Sequence, residues 1–190
     1  IEIKHQKQML KNKENERNRI KGWQIWREKV LSSDTFFLHE EELENTLYNV
    51  FEMLRQAKHL HQWGAWDSKL VETIFSIDFL EALRPKMSIF WKKADAPLYS
   101  ERSKESKNTL SYESLMSLTA VKCCSEKSNW AASLSHDEAV KAVRISTIEL
   151  NGFADFLSKL EIAHPLAVEE VFTSEIHAQI EDFTSKDLFN

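Results

Sequence analysis

The chain has 190 residues, 42% of them hydrophobic, which is enough apolar material for a packed domain and argues against wholesale disorder. Three glycines and three prolines are too few for the turns of sandwiches, barrels or doubly wound sheets, so the composition favours long helices. The net charge of −5 disfavours a general nucleic-acid-binding protein, and no run of about 18 apolar residues exists that would span a membrane.

A charged helix is predicted first, over residues 2–31. The first 30 residues contain nine Lys and Arg against four Glu, and apolar residues gather only near the end of the segment. Its first half is too polar to be buried by itself. We interpret its basic face first as a solvated surface and second as a contact for an acidic partner or nucleic acid. Residues 1–31 are therefore assigned as a linker helix and 32–190 as the helical domain.

Three more helices are predicted before residue 94. Residues 38–62 carry an apolar stripe at spacings of three and four. A third helix is predicted to start at a cap formed by Asp67 or Ser68 and to run to about Leu83. Pro85 predicts a break, and a short helix follows it.

The most polar interruption of the chain spans residues 94–108, and it predicts an exposed loop. A helix from Leu110 to about Cys124 follows, and residues 125–134 form a connector to the next helix. Because Cys123 and Cys124 are adjacent and lie in an apolar run, we interpret them as small core residues rather than reactive thiols.

The last third of the chain predicts three helices with clear boundaries. Ser135 and Glu138 form a capping-box pattern, in which each side chain bonds to the other residue's backbone N–H. Gly152 marks a corner, and Pro165 suits a first helical position, where no N–H donor is needed. The corner is predicted to pack the following apolar side chains on those before it: Phe153, Phe156 and Leu157 on Ile145 and Ile148.

Together these elements predict an all-α protein of about seven or eight helices, arranged as an irregular helical-repeat (α-solenoid-like) array or a bundle. No metal-ligand spacing, phosphate-binding glycine loop or nucleophile elbow occurs. We therefore expect no catalytic residues, no cofactor and no metal in this chain. Two adjacent cysteines cannot build a disulfide framework, which favours a reducing, cytoplasmic location. Since the first residue is Ile, we expect a fragment of a longer polypeptide.

Six tryptophans are many for this length, and most lie near predicted helix ends. Core packing is the default interpretation for them. Exposed members would instead form a recognition surface, because tryptophan anchors carry binding energy. The candidates for partner binding are Trp63, Trp66 and Trp91. The basic start (residues 2–29) and the acidic tail (residues 161–190) also differ in charge, which suits docking within an oligomeric assembly.

The segment from Ala139 to Ile176 resembles the helical region that follows the nucleotidase module in very large bacterial STAND/NACHT-type ATPases, including Avs-like antiphage defence proteins. The resembling features are Glu149-Leu150-Asn151-Gly152-Phe153, His164-Pro165, Val171 and Glu175-Ile176. The stretch WKKADAPLYSERS is similar to the same family's connector. The pattern differs at Ala154, where proline is expected, and at Phe156, where tryptophan is expected.

The resemblance implies a sensor or scaffold array that binds a foreign protein, or its own parent chain, and relays binding to a nucleotidase elsewhere in that chain. No Walker residues occur in this segment, so none are assigned. Two other interpretations stay open. In the first, the chain is a plain helical scaffold or adaptor unrelated to defence. In the second, it is the helical part of an enzyme whose active site lies in another domain.

Overall fold

Helices form nearly all the regular structure of the chain, in agreement with its scarcity of glycine and proline. A computed structural model describes residues 2–32, 40–57, 64–149 and 152–187. Within these ranges there are eight α-helices, two short 3₁₀ turns (Tyr99–Glu101 and Ala131–Ser133) and no β-strand, which confirms the all-α prediction. The helices are α1 Glu2–Ser32, α2 Glu40–Ala57, α3 Ser68–Ile74, α4 Ile77–Lys93, α5 Tyr112–Ser125, α6 His136–Ser146, α7 Leu157–Ala163 and α8 Pro165–Asp187.

One hydrophobic core connects these helices. It extends from Val30 at the end of α1 to Val171 in α8. The most extensive pairings are α4 with α5 and α6 with α8. Nearly every residue of α5 is buried, so α5 is the central helix of the described structure.

The break predicted at Pro85 is wrong, because α4 continues through this residue. The chain is interrupted earlier, where the Ser76 hydroxyl accepts the Phe79 N–H at 3.1 Å and caps α4. Proline removes one helical donor. The helix continues because Leu83 and Met87 are buried on either side, and because Arg84 donates to the Cys123 carbonyl of α5 at 2.9 Å.

The loop between α4 and α5 is irregular, as predicted, but its first half is largely buried and its exposure lies mostly in its second half. Ala94, Ala96 and Leu98 are buried against the rest of the domain. Two cations of α6 satisfy the backbone there: Lys141 donates to the Ala94 carbonyl at 3.0 Å, and Arg144 donates to the Ala96 carbonyl at 3.0 Å. The buried carbonyls thus have partners that could not be identified from the local sequence.

Arg144 also binds Glu101, and this contact makes stability depend on pH. Its guanidinium donates to the Glu101 carboxylate at 3.0 Å, and the Leu98 N–H donates to the same carboxylate at 2.9 Å. The Arg144 hydrogen bond, followed by that of Leu98, holds the pKa of Glu101 below its ordinary value of 4.5. A carboxylate with a lowered folded-state pKa stabilises above its unfolded pKa and loses that contribution as pH falls through the folded pKa.

We therefore expect Glu101→Gln to lower the free energy of unfolding at pH 7, and this difference from wild type to shrink below about pH 4.5. Urea unfolding of both proteins at about pH 7 and about pH 3 measures this difference in the free energy of unfolding. In an Arg144→Met background, Glu101→Gln is expected to have a much smaller pH-dependent effect. A difference that is equal at both pH values would contradict this role of the Glu101 carboxylate.

The predicted starts of α6 and α8 are confirmed, whereas α6 ends at Ser146 and α7 begins at Leu157, on either side of the predicted corner at Gly152. The Ser135 hydroxyl accepts the Glu138 N–H at 3.2 Å, the Glu138 carboxylate accepts the Ser135 N–H at 3.0 Å, and α8 begins at Pro165. Gly152 has a φ of +132°. Phe156 is buried, as are Ile145 and Ile148.

The prediction that Phe153 packs across the corner is wrong, since this side chain is 80% exposed. Ala154 and Phe156 are the corner residues that are buried, and Phe156 forms an edge contact with Trp130 at 5.9 Å between ring centroids. Ala154 and Phe156, two positions apart, both point inward. The position before them, Phe153, therefore points outward. Asn151 lies outside the described residues.

Candidate interaction surfaces

The three tryptophans predicted for partner binding have different positions. Trp63 lies outside the described residues. Trp66 is half-buried and packs on the core. Trp91 is 0% exposed and forms an edge contact with Trp130 at 6.4 Å between ring centroids, so its prediction as an exposed anchor is wrong. Leu83, Met87 and Trp91 follow one another at intervals of four, and this pattern already places Trp91 on the buried face of α4.

The adjacent cysteines are core residues, as predicted. Cys123 and Cys124 are both buried and carry free thiols. The pKa of the Cys123 thiol is raised, first by its hydrogen bond with Cys124 and then by burial. The pKa of the Cys124 thiol is lowered, chiefly by the same hydrogen bond. Because both side chains are buried among apolar neighbours, the structure gives these residues a packing role.

Helix α1 presents a largely solvent-exposed basic surface. Its 31 residues form a rod of roughly 46 Å at 1.5 Å per residue. Every described side chain from Gln6 to Asn15 is exposed. The helix contacts the core near its end, where Val30 is buried and Trp26 meets Phe75 edge-on at 5.4 Å between ring centroids. The charged part of α1 is therefore available to a partner.

The α7–α8 end of the domain exposes large apolar side chains. The inner face of α8 is defined by Ala167, Val171 and Glu175, which are buried at intervals of four. Its outward side is mostly polar but also exposes four large apolar side chains. We define the apolar surface as the six large hydrophobic residues at this end that are more than half exposed: Phe153, Ile162, Leu166, Ile176, Ile180 and Phe183.

This apolar surface was not predicted, although the sequence carries a signal for it. A helix that contacts the core along one face normally has polar residues on the other. In α8, large apolar residues occur on the exposed side as well as on the buried one. Clustered exposed apolar side chains on a folded domain mark a protein contact more often than singly scattered ones do.

Histidines in this region have structural contacts. His164 bonds through its ring to the Ala131 carbonyl at 2.9 Å, which fixes the junction of α7 and α8, and His136 lies 3.2 Å from the Glu170 carboxylate. Among the described residues, no three His, Cys, Asp or Glu side chains are grouped so that they could ligate a metal. In the same ranges, none of the helices combines the length and the apolar character needed to cross a membrane.

Comparisons with known proteins do not assign these surfaces. No protein-family model, no curated protein and no solved structure matches the chain. The resemblance to STAND-type ATPases thus stays an expectation from sequence, and the functional interpretation depends on the chemistry of the exposed α1 and α7–α8 residues.

Proposed function

We propose that this chain is a helical protein-interaction module. In this proposal it is a sensor or scaffold element of a larger cytoplasmic STAND-type ATPase in bacterial antiphage defence, and it contributes binding rather than catalysis. The observation that supports the proposal best is the apolar surface of the α7–α8 end, where six large hydrophobic side chains are more than half exposed. Covering such side chains is favourable in water, which gives a partner a reason to bind there.

The charge distribution supports contact within an assembly. α1 is basic and exposed, whereas residues 161–190 contain seven acidic side chains and a single Lys. Opposite charges on two ends of one module steer neighbouring copies or neighbouring domains toward a defined orientation. The apolar surface would then supply affinity, and the charges would supply orientation and rate of association.

We expect the α8 backbone amides to exchange hydrogen more slowly in the full-length gene product than in the 190-residue chain alone. The reason is that the parent chain covers the outward side of α8 and suppresses its local opening. Hydrogen–deuterium exchange with mass spectrometry measures this difference. Ile180→Ser, at an exposed position of the apolar surface, is expected to remove much of the added protection.

Ile89→Ser is the matched control, because Ile89 is an exposed isoleucine on α4, outside the apolar surface. It should leave the protection of α8 unchanged. Equal exchange of α8 in both proteins, or equal effects of the two substitutions, would contradict the proposal that the parent chain covers this surface. Turnover of a substrate by the 190-residue chain would favour the enzyme interpretation instead.

A further inference from the structure

A cleft of about 490 Å³ opens beside the apolar surface. Its walls come from three parts of the chain: the loop that contains the Tyr99–Glu101 turn, the corner after α6, and one flank of α8. This volume lies within the range of about 300–1,000 Å³ that is typical of ligand sites. Neither Trp66 nor Trp91 lines this cleft.

The walls of the cleft combine large aromatic and aliphatic residues with polar and charged ones. They include Tyr99, Ile148, Phe153, Phe172 and Ile176. Phe153 is 80% exposed and Ile176 is 54% exposed, so much of this apolar wall is in contact with water. An occupant with a bulky apolar side chain would remove that area from water.

The carboxylates at the cleft already have donors. Glu175 is buried and accepts hydrogen bonds from the Ser100 hydroxyl at 2.6 Å and from Gln179 Nε2 at 2.7 Å. Glu149 is paired with Lys122 at 2.8 Å. These acidic groups are therefore engaged in holding the walls together.

The two cationic side chains of the cleft differ in whether they are paired with a carboxylate. Lys107 is paired with Asp182 at 3.0 Å. Arg102 has no carboxylate partner within the described ranges, and its guanidinium donates to the neutral Pro97 carbonyl at 3.3 and 3.4 Å. A guanidinium has five donors and matches a carboxylate in geometry, so Arg102 retains donors that an acidic group could use.

We propose that this cleft binds a peptide segment of a partner protein that presents a bulky apolar side chain next to a carboxylate. The apolar side chain packs between Phe153 and Ile176, and the carboxylate binds Arg102. A chain segment is favoured over a free small molecule because Ile180 and Phe183 continue the exposed apolar side of α8 beyond Ile176. An extended occupant can follow that row after it leaves the cleft. The inference rests on the proposed function and names the chemistry that the module recognises.

Selection of phage-displayed random heptapeptides on the 190-residue chain tests this inference. Enriched peptides are expected to share an aromatic or branched aliphatic residue within a few positions of Asp or Glu. A synthetic copy of the enriched sequence, labelled with fluorescein, then gives a Kd by fluorescence polarisation. Phe153→Ser and Arg102→Gln are each expected to weaken binding by about tenfold or more, as is usual for central contact residues.

Matched controls separate the cleft from general surface effects. Ile89→Ser replaces an exposed apolar side chain of α4 that lies outside both the cleft and the apolar surface, and Lys104→Gln removes a cation from the same loop as Arg102. Both should change Kd by less than about twofold. Failure to enrich any peptide, enriched peptides without the acidic residue, or equal effects of cleft and control variants would overturn the inference.

The outcomes also distinguish this inference from the proposed function. If α8 is protected in the full-length protein but no peptide depends on Phe153 and Arg102, the module still binds its parent chain and only the cleft assignment is wrong. If a peptide binds the cleft while α8 exchanges equally with and without the parent chain, the cleft assignment stands and the proposed intramolecular role is wrong.

Discussion

Replacing Trp91 with alanine is expected to destabilise the domain by about 3–5 kcal/mol, the usual range for a large aromatic residue in a core. Trp91 is fully buried and contacts Trp130, which in turn contacts Phe156. Removal of the indole would therefore leave a cavity at the centre of an aromatic cluster that joins α4 to the corner before α7. Urea unfolding followed by far-ultraviolet circular dichroism measures the change without depending on tryptophan emission.

Phe153→Ala is the control for this experiment. It also removes an aromatic ring, but from a side chain that is 80% exposed. Its expected effect is within about 0.5 kcal/mol. If Trp91→Ala unfolded at the same urea concentration as wild type, Trp91 would be a surface residue and the packing of α4 on its neighbours would be wrong.

Gly64→Ala is expected to cost about 2–4 kcal/mol, from backbone strain and overpacking together. Gly64 has a φ of +71°, a conformation that a β-carbon disfavours. A β-carbon there would also lie 2.4 Å from Leu118 Cγ, and Leu118 is fully buried in α5. Because the central helix cannot move away without disturbing the core, the clash is not relieved cheaply. Thermal and urea unfolding measure the loss.

Substitutions at the other two glycines separate the contribution of backbone strain from that of overpacking. Gly152 has a φ of +132° but open space where a β-carbon would lie, so Gly152→Ala should show only the strain, about 1–3 kcal/mol. Gly22 lies inside α1 with no atom near the added carbon, and Gly22→Ala should be neutral or stabilise by up to about 1 kcal/mol. Equal losses for Gly64→Ala and Gly152→Ala would show that contact with Leu118 contributes nothing.

Local chemistry was sufficient to predict the starts of three helices. Asp67, Ser135 and Pro165 each act within three or four residues of their own position, and the structure has α3, α6 and α8 beginning where these residues place them. The all-α class follows equally directly, because it depends on composition and on apolar spacing along single helices. The core role of the two cysteines was also indicated by the apolar run around them.

The exposed and buried sides of the irregular segments could not be predicted in the same way. Whether Phe153 or Ala154 turns inward at the Gly152 corner depends on the space that α5 and α6 leave, and not on hydrophobicity. The same holds for Leu98, which lies in a polar stretch yet is buried.

The sequence by itself therefore determined the fold class, the caps and most helix boundaries, since these depend on contacts within one or two turns. Only the tertiary structure decided that Pro85 continues a helix, that Trp91 is core, and that the exposed apolar residues gather on α7 and α8. Each of these depends on which face of one element another element covers. That choice is made by packing between residues far apart in the chain, for which local periodicity carries no information.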